Sequence, residues 1–536
     1  IGVWTKAQQG TAKGAKANAT KDNSLSWIWD NIVNYTWKKS VHSITATGVF
    51  SAQKYQYDRL YGASKDLSFN SLWYNLNGGA IESLSSNFSQ WTMMSYVGRI
   101  NYGLMDRYLL TASLRYDGSS RLSEGNKWAL FPSAAIAWRI TEEDFAKNLD
   151  WLSNLKLRFS YGQAGNTNSV SPYASEGTIS GSVYYPFGTS TSVGNLPANI
   201  ANPMLTWERT SEYNVGLDFG FLNQRISGNI EYYNRTTNDL LMKRNIPVHL
   251  GYSSVTSNVG SVRNSGFELQ LNTANIMTKN FAWNTTINLA YNKNEIVSLA
   301  DEEDLSNYSI HLQGMRGRYS DKRFIGKPVD TNWTQNTIGV WQLGEEEEAA
   351  KYGCVPGNFK IKDYNNDGKL TDDDYIIDGK RTPDWTGGMT NMFKIYDFDF
   401  SFHMYFQAGA TQYDRFFENF ALEWNSQNFN NLRTNYWTPE NPSNTMGRPS
   451  QMGSRGNIAY ERTDFLKVSY ITLGYTLNKR LMSKWGLDNA RIYVTVQNPF
   501  ILTKFRGLDP EQPDLTNIGD TDGMTMNALL GVNISF

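Results

Sequence analysis

Across 536 residues the chain sets 50 Lys and Arg against 51 Asp and Glu, a net charge of −1 that offers nucleic acid no basic field. Only 40% of residues are hydrophobic while 14% are aromatic (17 Trp, 31 Tyr and 26 Phe), short of the roughly 45–50% apolar content of an ordinary globular domain. The single cysteine, Cys354, excludes an internal disulfide framework, and no run approaches the roughly 18 apolar residues that a spanning helix needs.

In chain order, Ile1-Gly2-Val3-Trp4 and the Ala/Lys/Thr-rich stretch to Thr20 read as a loop entered mid-domain. With no signal peptide at Ile1, the chain is expected to be the carboxy-terminal portion of something longer. Period-two alternation follows. Tyr108, Leu110, Ala112, Leu114 and Tyr116 share one strand face, with Thr111, Ser113 and Arg115 opposite. Leu155, Leu157, Phe159 and Tyr161 alternate with Lys156, Arg158 and Ser160, and Tyr213, Val215, Leu217, Phe219 and Phe221 with Asn214, Gly216, Asp218 and Gly220. Further apolar sets are Phe267, Leu269 and Leu271, then Ile287, Leu289 and Tyr291, then Phe398, Phe400, Phe402, Met404 and Phe406, and Ile492, Val494 and Val496. The run Leu466–Tyr475 changes frame near Tyr470, which predicts a bulge.

The chain stops on Leu530-Gly531-Val532-Asn533-Ile534-Ser535-Phe536, with Leu530, Val532, Ile534 and Phe536 on one face. An aromatic carboxy-terminus on a strand apolar outside and polar inside has the form of a closing strand of an outer-membrane β-barrel. Lys156, Arg158 and Asp218 would be costly on a lipid face but are at home in a watery lumen. Trp27, Trp37, Trp128, Trp138, Trp207, Tyr232, Tyr233 and Trp283 fall at expected strand ends and suit two aromatic girdles. The fold class is therefore all-β, a transmembrane antiparallel barrel portion of about fifteen strands. A soluble sandwich or propeller fits less well, because the two-faced alternation persists and no blade-length repeat is visible. Tight turns at Tyr102–Asp106 and Leu222-Asn223-Gln224 contrast with long excursions at 165–204, 296–385 and 410–460, which belong outside the cell. Binding is expected in those loops and in the lumen wall beneath them.

Five blocks together resemble the carboxy-terminal barrel of a SusC-like TonB-dependent outer-membrane transporter. They are Ser95–Tyr102 continuing into Asp106–Arg121; Leu205–Thr210 running through Asn214–Asp218 to Tyr232-Tyr233-Asn234; Asn258–Leu269; the acidic segment Asp363–Asp374 followed by Pro383; and Leu466–Tyr475 with Ala490–Val494 and Gln497-Asn498-Pro499-Phe500. Their order and spacing cover most of residues 90–536. The resemblance implies a barrel of about 22 strands, closed in a full protein by a plug and preceded by a TonB box, both outside this sequence. It also implies a SusD-like surface lipoprotein as a lid, a possible dimer of such pairs, and import of oligosaccharides or, next, peptides, energised through TonB. The alternative is a passive barrel or surface binding protein without energy coupling; the two part on whether a plug and TonB box lie upstream.

Within the 296–385 loop region, residues 363–374 match the spacing of an EF-hand loop. Asp363, Asn365 and Asp367 offer oxygens at positions one, three and five, and Gly368 supplies the turn at six. Lys369 offers its carbonyl, Thr371 a hydroxyl or a bridging water, and Asp374 a carboxylate at twelve, where EF-hands usually carry Glu. Calcium is the expected ion, ahead of magnesium, in a structural role. A solvated acidic turn is the plainer alternative.

Enzymatic chemistry is not expected. The four histidines (His42, His249, His311 and His403) form no His-Glu-x-x-His pair, and no Gly-x-Ser-x-Gly elbow occurs. His403 lies in the polar phase of its strand and reads as a hydrogen-bonded wall residue. Trp333, Trp341, Trp385, Tyr413, Phe416, Phe417 and Trp424 are loop aromatics that could stack on sugar rings or grip peptide side chains, or pack against one another.

Overall fold

The computed structural model describes residues 2–4, 15–67, 74–246, 249, 251–252, 254–422, 434–449, 454–478, 482, 486–513 and 524–536. Sixteen strands make its main sheet, hydrogen-bonded in chain order with the loop hairpins left out of the sequence of neighbours. The count passes the expected fifteen because even the short Gly2–Trp4 pairs with Lys16–Asn18. No helix among the described residues is long and apolar enough to cross a membrane.

The chain divides into two compact units, the first made of Ile1–Ile136, Tyr161–Ser211 and Thr237–Val259. In it the strands Ala15–Lys39, His42–Leu67 and Ala80–Leu104 run 25, 26 and 25 residues. At ~3.3 Å per residue each reaches roughly 80 Å, far beyond a hydrocarbon core of about 30 Å. Residues 15–20, expected in a loop, belong to the first of these strands. That segment alternates poorly, so only its pairing with Tyr61–Leu67 reveals it. The turn after Leu104 is as tight as expected, with Met105 and Asp106 at φ 56° and 55°.

On Tyr108–Ser119 the expected alternation is present: Tyr108, Leu110, Leu114 and Tyr116 are exposed while Thr111 and Ser113 are half-buried. The exposed face carries an aromatic chain in which Tyr96 meets Phe50 at 5.3 Å and Trp128 stacks on Tyr116 at 4.8 Å. These amphipathic rings suit a membrane boundary. Trp207 does not join them. It is 2% exposed, packed with Leu122, Phe131 and Leu205, so this expected girdle residue is a core residue under the 165–204 excursion.

The second unit comprises Ala137–Ser160, Glu212–Thr236 and Gly260–Phe536. Its strands Ser261–Met277, Phe281–Ser298, Trp385–Ile395, Phe398–Ala408, Phe465–Thr476, Asn489–Thr503 and Asn527–Ser535 pair antiparallel in succession. The expected bulge is Ser469: the register slips there against both neighbours, between His403 and Met404 on one side and between Val468 and Tyr470 on the other. Leu530, Val532, Ile534 and Phe536 are all exposed, as their shared face requires.

The opposite face is polar and carries paired charges. The Arg158 guanidinium donates to Asp218 at 2.7 Å and to Glu231 at 2.8 Å, Lys156 lies 3.3 Å from Asp218, and Asn214 donates to the second Glu231 oxygen at 3.1 Å. Farther along, Arg491 donates to Asp399 at 2.8 Å, and this pair fills the space above Gly474 where a Cβ would stand. Pairing of this kind removes the cost of isolated charges from the wall.

The described parts of the excursions carry secondary structure of their own. The 165–204 segment carries the hairpin Ile179–Phe187 with Ser190–Pro197. Between Ser298 and Trp385 the described residues form three small sheets and a short helix, Glu346–Lys351, and a core of Leu305, Leu312, Tyr319 and Phe324 packs against Trp333 and Ile377 of one sheet pair. A second core joins Val340 and Phe359 of this insertion to Phe417, Trp437, Met446 and Ala459 of the 410–460 excursion.

Candidate functional site: the large insertion and the polar wall

The acidic loop begins where the strand Phe359–Ile361 ends and closes on itself through Asx turns. Asp363, only 6% exposed, accepts from the backbone N–H of Asn366 at 2.6 Å and of Gly368 at 2.9 Å, and from the Tyr352 hydroxyl at 3.0 Å. Burial presses its pKa upward, but the three donors outweigh burial and hold the carboxyl below its ordinary range. Gly368 sits at φ +79°, the left-handed conformation that position six demands. Asn365 and Asp367 face each other, with Asn365 Nδ2 donating to Asp367 at 3.2 Å.

Asp374 is wholly buried. Its two oxygens accept from Tyr364 N–H at 2.8 Å and Thr371 N–H at 2.9 Å, a capping box at the short helix Asp372–Asp374. The position-twelve carboxylate thus anchors the loop backbone. Among the described residues no three His, Cys, Asp or Glu side chains converge into a metal cluster, so an ion here would depend equally on Asn365, Thr371 and the Lys369 carbonyl. An all-oxygen donor set of this kind fits calcium chemistry rather than zinc.

Most of the loop aromatics are structural. Trp341 is 5% exposed beside Ala349 and Cys354, with Lys360 Nζ 4.1 Å from its ring. Phe417 is equally buried, and Trp333 packs against Phe324 at 5.1 Å. Trp385 begins a main-sheet strand and meets Phe267 and Tyr291 at 5.3 and 4.9 Å. Phe416 packs on Phe420 at 4.7 Å. Trp424 lies outside the described residues. Tyr413 and Trp333 also line an open recess that holds charged side chains. Next to Tyr413, Asp414 is fully buried, pushed up to about 6 by burial and by the Glu461 charge, against the Phe417 N–H it accepts and the nearby Arg506.

His403 is the wall residue expected of it. Its Nδ1 lies 2.9 Å from the Thr390 hydroxyl and its ring stacks on Tyr470, in a recess shared with Glu231 and Glu268. A site that sequence reasoning missed lies on the polar face of the first unit. There a recess of about 610 Å³ is lined by Gln53, Trp91, Arg115, Asp117, Arg121 and Gln163. Arg121 lies 4.6 Å over the Trp91 ring while donating to the carbonyls of Thr167 and Val170 at 3.0 and 3.3 Å. Arg115 is held by Asp117 at 2.6 Å and by Ser95 at 3.0 Å. Trp91 and Arg121 lie 30 residues apart in sequence, and only the strand pairing brings them together.

A family model described as TonB dependent receptor-like, beta-barrel matches residues 4–386. A TonB-dependent receptor of Formosa agariphila is 32% identical over 548 residues, covering 98% of this chain and 54% of its own length. TonB-dependent receptor SusC of Bacteroides thetaiotaomicron is 35% identical over 457 residues, 83% of this chain and 44% of its own. The chain therefore spans about half the length of the curated relatives it matches. Among solved structures, the RagAB peptide transporter superposes with a TM-score of 0.79 at 23% identity, over 97% of this chain and 56% of that one, a likeness that concerns the fold. These relatives are receptors and transporters and not enzymes. With its two-faced antiparallel sheet and structured excursions, the chain belongs to the TonB-dependent receptor β-barrel family of the outer membrane, as a SusC-like member.

Proposed function

We propose that the protein to which this wall belongs imports oligomeric nutrients across the outer membrane, glycans first and peptides second, with a SusD-like lipoprotein as lid and TonB as energy source. The observation that carries this reading is the division of labour in the chain. A charge-neutralised polar wall, lined by recesses such as that of Trp91 and Arg121, lies on the same strands as an apolar outer face, and large self-packed excursions interrupt them. Transporter–lipoprotein pairs assembled as dimers belong to the same proposal. The test is uptake of a fluorescent oligosaccharide or oligopeptide by cells carrying the intact gene. Uptake that stops when TonB is deleted supports an energised importer, whereas uptake that continues unchanged points to a passive barrel.

The proposal includes a structural calcium ion held by Asp363, Asn365, Asp367, Thr371, Asp374 and the Lys369 carbonyl. Support comes from the spacing of the donors, the left-handed turn at Gly368 and a carboxyl at Asp363 that stays ionised. Calcium at a hundredfold excess over its dissociation constant would stabilise the insertion by about 2.7 kcal/mol. The expected result is slower proteolysis of residues 299–384 when calcium is added, a weaker effect with magnesium, and none for Asp363→Asn. Identical digestion with calcium and with chelator would remove the ion from the reading.

A further inference from the structure

The second unit holds a recess of about 570 Å³ where the large insertion meets the excursion that follows Ala408. Its charge departs from that of the chain. The cations Lys322, Arg323, Arg381 and Arg415 line it against only two acids, Asp330 and Glu418, in a protein whose net charge is −1.

Most of these groups are already engaged. Glu418 lies 3.6 Å from Arg415 and accepts from the Tyr413 hydroxyl at 2.5 Å. Arg323 donates to the Val329 carbonyl, and Lys322 Nζ sits 3.4 Å from the Tyr319 ring centre. Arg381 is different: its guanidinium makes no hydrogen bond or ion pair among the described residues, is exposed, and stands near enough to Tyr460 for its charge to act on that hydroxyl. Opposite in chemical sense is Asp330. One of its oxygens accepts from Thr382 N–H at 2.6 Å, while the other has no hydrogen-bond partner among the described residues. Tyr413 and Tyr460, edge to face at 5.0 Å, add aromatic surface to the same recess.

We propose that this recess binds a carboxylate-bearing sugar unit of an acidic oligosaccharide. The guanidinium fork of Arg381, unpaired among the described residues, takes the carboxylate in the bidentate manner that suits Arg. A ring hydroxyl donates to the Asp330 carboxylate at the recess wall, which turns to meet it and so gains a partner for its second oxygen. The tyrosine faces receive the ring. A neutral sugar would leave Arg381 without a partner. The proposal rests on the importer reading and narrows its substrate class.

Binding is measured by calorimetry on the full-length transporter, purified in detergent with its lipoprotein, so that affinity is read without energised uptake. The probes are a galacturonic acid hexamer, its carboxyl-reduced counterpart and a glutamate hexapeptide. The acidic hexamer is expected to bind, more weakly as salt rises, and roughly tenfold more tightly than the reduced form, the scale of one charge-assisted bond. Arg381→Gln should erase that difference and Arg381→Lys should restore part of it. Because Arg381 is exposed the variants should fold, and Tyr460→Phe serves as a second variant with the charge intact and the hydroxyl removed. Equal affinity for acidic and reduced hexamers, no binding by the acidic hexamer, or an unaffected Arg381→Gln would overturn the proposal. Tighter binding of the hexapeptide would overturn the choice of sugar. Binding that persists while TonB-dependent uptake is absent would sink the importer reading and leave the recess standing.

Discussion

Replacing Phe324 by alanine is expected to cost the large insertion about 3–5 kcal/mol, the range for emptying a buried phenylalanine site. The side chain is fully buried among Leu305, Leu312 and Tyr319, with Trp333 against its ring. Every residue of that cluster lies between Ser298 and Trp385, so the loss should stay there. The measurement is hydrogen exchange on the detergent-solubilised protein. Amides of residues 303–324 should lose protection while those of Phe281–Ser298 and Trp385–Ile395 keep theirs. Loss across both would mean that the insertion core and the sheet unfold as one, and the picture of a self-packed insertion would fall.

Placing an arginine at Val494 should be nearly as damaging, for a different reason. Val494 stands on the exposed apolar face, directly across from Leu473 on one strand and Leu530 on the other, and all three are 45% exposed or more. In water such a position would tolerate arginine. Against lipid it carries a cost of about 2–4 kcal/mol near the bilayer midplane. Val494→Arg should therefore lower the urea midpoint for unfolding from lipid vesicles, whereas arginine at Thr495, on the polar face, should change it little. Equal midpoints for both variants would contradict the assignment of the faces.

Where two faces see different solvents the sequence was legible down to single residues. The apolar face of the last strand from Leu530 to Phe536, the frame slip at Ser469 and the polar placement of Lys156, Arg158, Asp218 and His403 all follow from a period of two, which a one-residue error would invert. The excursions follow no period. Their cores gather Leu305, Phe324, Val340, Phe359 and Trp437 from turns and short hairpins, and aromatic residues there look alike whether they face a ligand or one another. For Trp341 and Phe417 the sequence leaves ligand contact and mutual packing open for that reason, and an exposure of 5% shows packing; Trp207, expected at a girdle, is likewise a core residue at 2%. The recess residues Arg121 and Arg381 carry no local signature either. What marks each is a neighbour distant in sequence, the Trp91 ring in one case and the orphaned Asp330 oxygen in the other.

The core that joins Val340 and Phe359 to Phe417, Trp437, Met446 and Ala459 also limits how such a protein can diversify. Length changes at an excursion tip are cheap, since doubling a flexible loop adds only about 0.6 kcal/mol of closure entropy. Exchange of a whole excursion is another matter. A recombinant that inherits the segment between Ser298 and Trp385 from one parent and the segment after Ala408 from another sets Phe359 against side chains it was never fitted to. The heritable module is then the pair, and the two stretches should be found to change together although a strand hairpin separates them in the gene.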